Sequence, residues 1–223
     1  MPTSALSAHT PPAPAAITGV LLAGGLSRRM FEGNASGGDK GLLDIAGQSM
    51  LGHVIGRLAP QAGRLVINAN GDPARFRAFN LPVAADTVTG HPGPLAGVLA
   101  GMRWSLEHAP QATHIATVST DAPFVPLDLV ARLAAGLTSA QIALAASGGE
   151  LHPVIGLWPV ALADDLEAAL NSGTRKVLAW TDRHGTTSVA FDFLNLGGEK
   201  VDPFFNANTP AELAQARALL SRI

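Results

Sequence analysis

The chain contains no cysteine among its 223 residues. Disulfide bonds, thiolate metal sites and a cysteine nucleophile are therefore excluded, and the redox compartment is left open. The chain also lacks an excess of positive charge, because 15 lysines and arginines stand against 17 aspartates and glutamates. A global basic field of the kind that attracts nucleic acid is excluded, so we expect no nucleic-acid partner, and any anion site must be local.

Long apolar runs are missing as well. No run approaches the roughly 18 apolar residues that predict a membrane span, so we expect no membrane partner. Residues 1–16, MPTSALSAHTPPAPAA, lack the charged start and the apolar centre of a signal peptide, and their prolines oppose a helix. These absences predict a disordered tail over residues 1–16 and a cytoplasmic protein.

What the chain does have is apolar residues, at 47 % of the total against 14 % charged. This composition predicts one domain with a large core over residues 17–223. Short β-rich apolar runs predict buried strands at 17–23, 65–69, 115–119, 142–146 and 154–158.

Helical patterns lie between these runs. One segment begins after Ser49, a second covers residues 94–108, and the last begins at TPAEL, where Thr209 and Glu212 make a capping box. Alternating strands and helices predict an α/β fold with a mainly parallel sheet between two layers of helices.

Three polar clusters follow predicted strands. They are AGGLSRRM at 23–30, NAN at 68–70 and STDAP at 119–123. Ligands of open parallel sheets bind beyond the carboxyl ends of the strands, so we expect the three clusters to face one crevice.

Gly24 and Gly25 in the first cluster let the backbone turn tightly and approach a ligand with its N–H groups. Ser27, Arg28 and Arg29 add donors, and the combination suits a phosphate. An ordinary strand-to-helix turn with solvated arginines explains the same residues. The stretch is neither a dinucleotide fingerprint nor a Walker loop, since the spacing of the glycines differs and GGDKG lacks G-K-[ST].

Two charged residues are candidates for phosphate chemistry. Lys40 follows the glycine-rich GNASGGD and could close over a triphosphate; a surface lysine in a flexible loop is the alternative. Asp121 directly follows an apolar strand, where a carboxylate is a natural Mg²⁺ ligand; capping of the turn before Pro123 is the alternative. Asp86 has a similar position and a weaker case.

Other motifs carry less information. GPLAG at residues 93–97 would let a flat ligand approach the backbone, but it also fits a normal helix start. The histidines show no spacing typical of metal ligands, and most of them are expected to be solvated or structural. A serine hydrolase has no support because no G-x-S-x-G is present.

Taken in order, seven segments resemble the molybdenum cofactor guanylyltransferase family. They are LLAGGLSRRM, DKGLL, VINAN, GPLAG, TDAPFVP, HPVIGLW and FFNANTPAEL, and they span residues 17 to about 219. The resemblance implies a nucleotidyltransferase fold with a Rossmann-like sheet. It implies a nucleotide-binding part at 17–125 and a pterin-binding part at 126–223.

The activity implied by this resemblance is the transfer of GMP from GTP to molybdenum-molybdopterin. The products are molybdopterin guanine dinucleotide and pyrophosphate, and the cofactor is Mg²⁺. Implied further partners are molybdenum cofactor biosynthesis proteins and the recipient molybdoenzymes.

The resemblance also implies site residues. Arg29, Lys40 and Asp121 would act in catalysis, with Arg29 on a phosphate and Asp121 as the metal ligand. The nucleotide would be bound by Leu22, Ala23, Gly24, Gly25, Lys40, Asn68, Asp86 and Asp121. The pterin or its phosphate would be bound by His152, Arg175, Lys176, Asn206 and Asn208. The last four also have ordinary explanations, as the start of a helix or as backbone contacts in a turn.

The chain departs from the family between Met30 and Lys40, where FEGNASGGD is longer than the usual link. A longer loop costs little closure entropy, so closure of Lys40 onto phosphates remains compatible with it. Two other functions stay open: a cytidylyltransferase that acts on the same pterin with CTP, and a noncatalytic nucleotide-binding adaptor. LAGG and GPLAG favour guanine, and the complete set of phosphate-binding residues favours an enzyme.

Overall fold

The computed structural model describes residues 10–24, 39–88, 90, 93–137 and 141–222. The strands in this part of the chain are β1 (Ile17–Leu22), β2 (Asp44–Ile45), β3 (Gln48–Ser49), β4 (Arg64–Asn68), β5 (Val83–Ala84), β6 (His114–Ser119), β7 (Ile142–Ser147), β8 (Glu150–Pro159), β9 (Thr186–Phe191), β10 (Leu194–Leu196) and β11 (Glu199–Val201). The α-helices are α1 (Met50–Leu58), α2 (Pro94–His108), α3 (Leu129–Gly136), α4 (Ala163–Asn171), α5 (Val177–Thr181) and α6 (Pro210–Leu220).

Seven strands form the central sheet in the order β5-β4-β1-β6-β8-β7-β9. All neighbours pair in parallel except β8, which is antiparallel to β6 and to β7. The prediction of a mainly parallel sheet is confirmed. The five predicted strands are present, and β8 begins four residues earlier than expected because it forms a hairpin with β7.

Helices cover both faces of the sheet, which confirms the three layers. One buried cluster joins α1 and α3 to the sheet, and a second joins α2, α4 and α5 to the other face. Strand β1 is buried along its whole length, because its alternate side chains enter the two clusters. A third cluster packs α6 against Ile45 of β2 and Val201 of β11.

Helix starts follow the local sequence. The Ser49 hydroxyl accepts from the N–H of Gly52 at 3.1 Å, and α1 begins at the next residue. Thr209 and Glu212 form the predicted capping box at the start of α6. Helix α2 covers the predicted residues, with its proline in the first turn.

The structured chain begins before residue 17. Pro14–Ala16 form a 3₁₀ helix, and the N–H of Gly63 donates to the Pro14 carbonyl at 2.8 Å. The expected tail of residues 1–16 is therefore too long at this end, while residues 1–9 lie outside the described chain. Among the described helices, none is long and apolar enough to cross a membrane.

Candidate active site

A cavity of about 770 Å³ opens at the carboxyl edge of the sheet, where β1, β4 and β6 end. Small-molecule sites commonly have volumes of roughly 300–1,000 Å³. The described members of all three polar clusters include residues that line this cavity, which confirms the single crevice for them: Ala23, Gly24, Asn68, Asn70 and Ser119. Among the residues that line the cavity are five of the predicted nucleotide-binding residues: Leu22, Ala23, Gly24, Asn68 and Asp86.

The Lys40 ammonium group makes an ion pair with the Asp121 carboxylate at the border of this cavity. The same ammonium donates to Asn208 Oδ1 at 2.5 Å, and Asp121 also accepts from the Ser119 hydroxyl. Ser119 itself lines the cavity. The side chains of Lys40 and Asp121 are only 18 % and 6 % exposed, so water screens this pair less than it screens a surface ion pair.

Local structure places both charged groups. Lys40 begins a 3₁₀ helix, Lys40–Leu42, whose first turn is capped by the Asp39 carboxylate. Asp121 follows β6, and its own carbonyl accepts from the N–H of Ala207 at 3.1 Å. The ordinary alternatives fail here, because Lys40 is not a solvated surface lysine and the Asp121 carboxylate is bonded to Lys40 and Ser119 rather than to a turn.

Asp86 is held by two amides on the cavity wall. Asn68 Nδ2 donates to Asp86 Oδ1 at 2.9 Å, and Asn70 Nδ2 donates to Asp86 Oδ2 at 2.8 Å. Asn70 Oδ1 in turn accepts from the N–H of Asp86 at 2.9 Å. The carboxylate is therefore fixed in orientation, and each of its oxygens keeps a lone pair for a ligand.

Two glycines keep the cavity open. Gly24 does not adopt a positive φ, and a Cβ there would meet only Asn68 Oδ1 at 3.9 Å, so its lack of a side chain leaves room in the cavity rather than permitting a special turn. Gly97 in α2 has a different reason. A Cβ at this position would collide with Asn68 Oδ1 and lie 2.8 Å from a Leu22 methyl group, so only glycine lets α2 approach the ends of β1 and β4.

Some predicted residues lie outside the described chain. They are Gly25, Arg29 and, in the extended loop of residues 31–39, every residue except Asp39. The roles of Gly25 and Arg29 stay predictions.

A family model described as a MobA-like NTP transferase domain matches residues 19–186. The chain belongs to the MobA-like NTP transferase family. A protein of Bradyrhizobium sp. (strain ORS 278) named molybdenum cofactor guanylyltransferase is 52 % identical over 207 residues, which cover 92 % of this chain and 93 % of that protein.

Solved structures share the MobA-like fold. Molybdopterin-guanine dinucleotide biosynthesis protein A from Archaeoglobus fulgidus superposes with a TM-score of 0.67 at 22 % identity, over 93 % of this chain and all of that one. A Mycobacterium tuberculosis H37Rv protein solved as a complex with manganese has a TM-score of 0.59 at 20 % identity, over 91 % of this chain and 97 % of that one. At these identities the likeness concerns the fold.

In this MobA-like chain the predicted pterin-binding residues fall into two groups. Asn208 contacts Lys40, and His152 lies at the same edge of the sheet, hydrogen-bonded to Ser147. Arg175 and Lys176 are exposed, do not line the cavity and flank the start of α5. The Arg175 guanidinium donates to the carbonyls of Leu170, in the last turn of α4, and of Thr174, and a role of Arg175 in pterin binding stays a prediction.

Sequence reasoning missed several residues of this MobA-like site. Arg75 lines the cavity, where its guanidinium lies 3.5 Å from Asp39 and donates to the Asn70 carbonyl at 2.7 Å. It stands in the 3₁₀ helix Pro73–Phe79 after β4, with no motif around it. Ser147 and Asp202, which bond to each other, come from distant parts of the chain and carry no sequence signal either.

Proposed function

We propose that this protein transfers GMP from GTP to molybdenum-molybdopterin and releases pyrophosphate. The observation that carries the proposal is the poorly exposed Lys40–Asp121 pair at the border of the cavity, in a chain of the MobA-like family. Phosphoryl and nucleotidyl transfer depend on cations placed against phosphate oxygens, and this pair holds a cation and a carboxylate for a second cation side by side.

The residues present fit a divalent metal ion, for which we propose Mg²⁺. The Asp121 carboxylate already holds a positive charge, the Lys40 ammonium, with little help from water. No group of three or more acidic, histidine or cysteine side chains in the described part of the chain could hold a metal. That agrees with Mg²⁺, which usually takes one or two carboxylates together with substrate phosphates and water. When bound, the ion would neutralise charge on the phosphates next to Asp121.

The reaction needs no protein base. A phosphate monoester has a second pKa of about 6, so the pterin phosphate is mostly dianionic at neutral pH. One of its oxygens attacks the α-phosphorus of GTP, the bond to the β-phosphate oxygen breaks, and pyrophosphate leaves with that electron pair. Lys40 contributes positive charge where two anions meet, and the cavity aligns the reactants for in-line attack.

Asp86 supports guanine as the base. Guanine carries adjacent N–H donors on its N1 and N2 atoms, and a carboxylate only accepts. Asn68 and Asn70 fix the Asp86 carboxylate on the cavity wall, ready for such a pair of donors. Cytosine and adenine each offer one amino donor beside ring acceptors, which a carboxylate would repel.

Calorimetric titration with GTP, CTP and ATP in the presence of Mg²⁺ tests the nucleotide, and transfer of labelled GMP to molybdopterin tests the reaction. We expect selective GTP binding that Asp121→Ala weakens and transfer that Asp121→Ala abolishes. Asp182→Ala, which removes an exposed carboxylate at the end of α5, is the matched control.

The alternatives give different results in the same experiment. Preference for CTP would assign the chain as a cytidylyltransferase. A protein that binds nucleotide but transfers no GMP would be a noncatalytic adaptor. In that case Asp121→Ala should capture partner proteins as well as the wild-type protein does. If no nucleotide binds, the proposal that the protein is a nucleotidyltransferase is wrong.

A further inference from the structure

Ser147, His152 and Asp202 form a row of hydrogen bonds beside the candidate active site. The Ser147 hydroxyl oxygen lies 2.7 Å from His152 Nε2 and 2.8 and 2.9 Å from the two oxygens of Asp202. Ser147 is 2 % exposed, so water competes little for these bonds. The phosphate chemistry proposed above uses neither Ser147 nor Asp202, so the row calls for another explanation.

An irregular hairpin builds this row. Gly148 and Gly149, with φ of 56° and 85°, make the tight turn that joins β7 to β8. The register then shifts, since Ala145 pairs with His152 while Leu144 pairs with Gly156. Residues 153–155 therefore bulge out of β8, and a bulge redirects neighbouring side chains. Pro153 suits this place because it has no N–H to pair.

The same segments border the cavity and the Lys40–Asp121 pair. Val154, in the bulge next to Pro153, lines the cavity, and its carbonyl accepts from the Thr117 hydroxyl at 2.7 Å. Residues 202–208 run from Asp202 to Asn208, the hydrogen-bond partner of Lys40. The row thus stands next to the place where the acceptor substrate must present its phosphate.

The hydrogen bonds of Ser147 determine which ring nitrogen of His152 carries the proton. An ionised carboxylate only accepts, so the single Ser147 proton goes to Asp202. The Ser147 oxygen must then accept from His152, which places a proton on Nε2. Burial lowers the pKa of His152, against the opposing charges of Asp202 and Glu150, and favours the neutral ring. In the neutral ring Nδ1 carries a lone pair.

Two hydrogen-bond acceptors in this region have no donor among the described residues. His152 Nδ1 has no hydrogen-bond partner among the residues that the structure describes. On the connecting segment, Asn206 Oδ1 is buried and lacks a partner within the same set of residues. A buried acceptor such as Asn206 Oδ1 is nearly always matched in native proteins. Two acceptors suit the edge of a ligand that carries N–H donors. A neutral His152 whose only N–H is bonded to Ser147 has no donor left for a phosphate.

From these contacts we infer that Ser147 and Asp202 are positioning residues that hold His152 in its Nε2–H form, so that Nδ1 accepts from an N–H group of the acceptor substrate's planar heterocycle. The inference rests on the proposed function, in which that heterocycle is the pterin ring. It assigns His152 to the ring edge and leaves the substrate phosphate to the Lys40 side of the site.

Asp202→Asn reverses the direction of the hydrogen bonds that run through Ser147 to His152, and it hardly changes the shape of the side chain. Asp202 Oδ1 also accepts from the N–H of Phe204 at 2.8 Å, which would hold the amide oxygen in that place. The amide nitrogen would then face Ser147 and donate to it. The Ser147 proton would turn toward His152 Nε2, and His152 would carry its own proton on Nδ1, the wrong form for a donor ligand. The corresponding Asp-to-Asn change in the serine protease triad acts in this way.

Nitrogen-15 NMR of the histidine rings in the full-length protein reads this state without substrate, and His152→Gln assigns the signal. We expect the neutral Nε2–H form in the wild-type protein and loss of that form in Asp202→Asn, with Asp182→Asn unchanged. A wild-type His152 protonated on Nδ1 would overturn the inference.

Steady-state kinetics then tests recognition. We expect Asp202→Asn and Ser147→Ala to raise the KM for molybdopterin by about tenfold, as for the loss of one oriented hydrogen bond, with the KM for GTP unchanged. Equal changes in both KM values, or no change in either, would overturn the inference while GMP transfer by the wild-type protein upheld the proposed function. Absence of transfer by the wild-type protein would overturn the proposed function and this inference with it.

Discussion

At the scale of single residues, the Lys40 ammonium group occupies the carboxylate that the proposed metal ion would bind. Lys40 holds the Asp121 carboxylate that the proposed metal ion would use. A divalent ion held by Asp121 would compete with the Lys40 ammonium group for this carboxylate, and the displaced ammonium group would be free to contact the phosphates. On the proposed function, the ion would bind more tightly together with the nucleotide than alone, because the triphosphate would pair with the displaced Lys40.

Lys40→Met tests this exchange. Without the ammonium group the Asp121 carboxylate loses its cation, so we expect Mn²⁺ to bind in the absence of nucleotide at least about tenfold more tightly, as measured by electron paramagnetic resonance. We expect kcat for GMP transfer to fall by about 100-fold, since one stabilising group is lost. Lys200→Met, at an exposed lysine of β11, is the control. Unchanged Mn²⁺ affinity would contradict the exchange.

His152 makes stability depend on pH. Burial lowers its pKa in the folded protein below the ordinary value of 6.5, with Asp202 and Glu150 opposing the shift. The unfolded chain therefore binds the proton more readily just below pH 6.5, and the free energy of unfolding falls as the pH drops through that region. We expect urea unfolding of His152→Gln to lose part of this slope between pH 7.5 and 5.5. An unchanged slope in His152→Gln would contradict this assignment.

At the scale of elements, helix α2 approaches the sheet closely because of its glycines. Gly97 lies where a Cβ would collide with Asn68, the residue that holds Asp86. Helix α1 offers a contrast, since Gly56 is exposed and a Cβ there would meet nothing within 4 Å. The two glycines share a helical backbone and differ only in what surrounds them.

Gly97→Ala and Gly56→Ala form a matched pair. We expect Gly56→Ala to stabilise the fold by about 0.5–1 kcal/mol through helix propensity. Gly97→Ala should lose that gain to the collision, lower the free energy of unfolding and weaken GTP binding by displacing Asn68. Urea unfolding and calorimetry measure both quantities. A Gly97→Ala protein that is stabilised and binds GTP normally would show that α2 moves away without cost.

At the scale of the whole molecule, the two expected halves share one sheet and its cores. Strand β6 of the first half pairs with β8 of the second, and one buried cluster contains residues of α2 together with residues of α4 and α5. The row around Asp202 and the Lys40–Asp121 pair likewise draw on both halves. Residues 17–125 and 126–223 are therefore expected to fold as one unit.

Unfolding in urea should show one transition. Trp104 reports on the first half, and Trp158 and Trp180 report on the second. We expect the fluorescence of a Trp104→Phe variant, the fluorescence of a Trp158→Phe/Trp180→Phe variant and circular dichroism each to give one cooperative step. In each variant the fluorescence and circular dichroism midpoints should coincide. A fluorescence midpoint that differs from the circular dichroism midpoint in either variant would contradict the single unit.

The sequence by itself determined most of the strands and helices and much of the lining of the cavity. Short apolar runs predicted the buried strands β1, β4 and β6. Capping residues predicted where α1 and α6 begin. Both signals are local in the sequence. The rule that ligands bind at the carboxyl ends of parallel strands then predicted that the clusters of Asn68 and Ser119 share one crevice.

Only the tertiary structure decided which distant groups touch. The pairing of Lys40 with Asp121 and Asn208, and of Ser147 with Asp202, joins residues between 55 and 168 positions apart. The register shift that follows His152 appears only once β8 pairs with β7. Contacts of this kind depend on the packing of the whole sheet and its helices, and hydrophobic periodicity and capping signals carry no information about them.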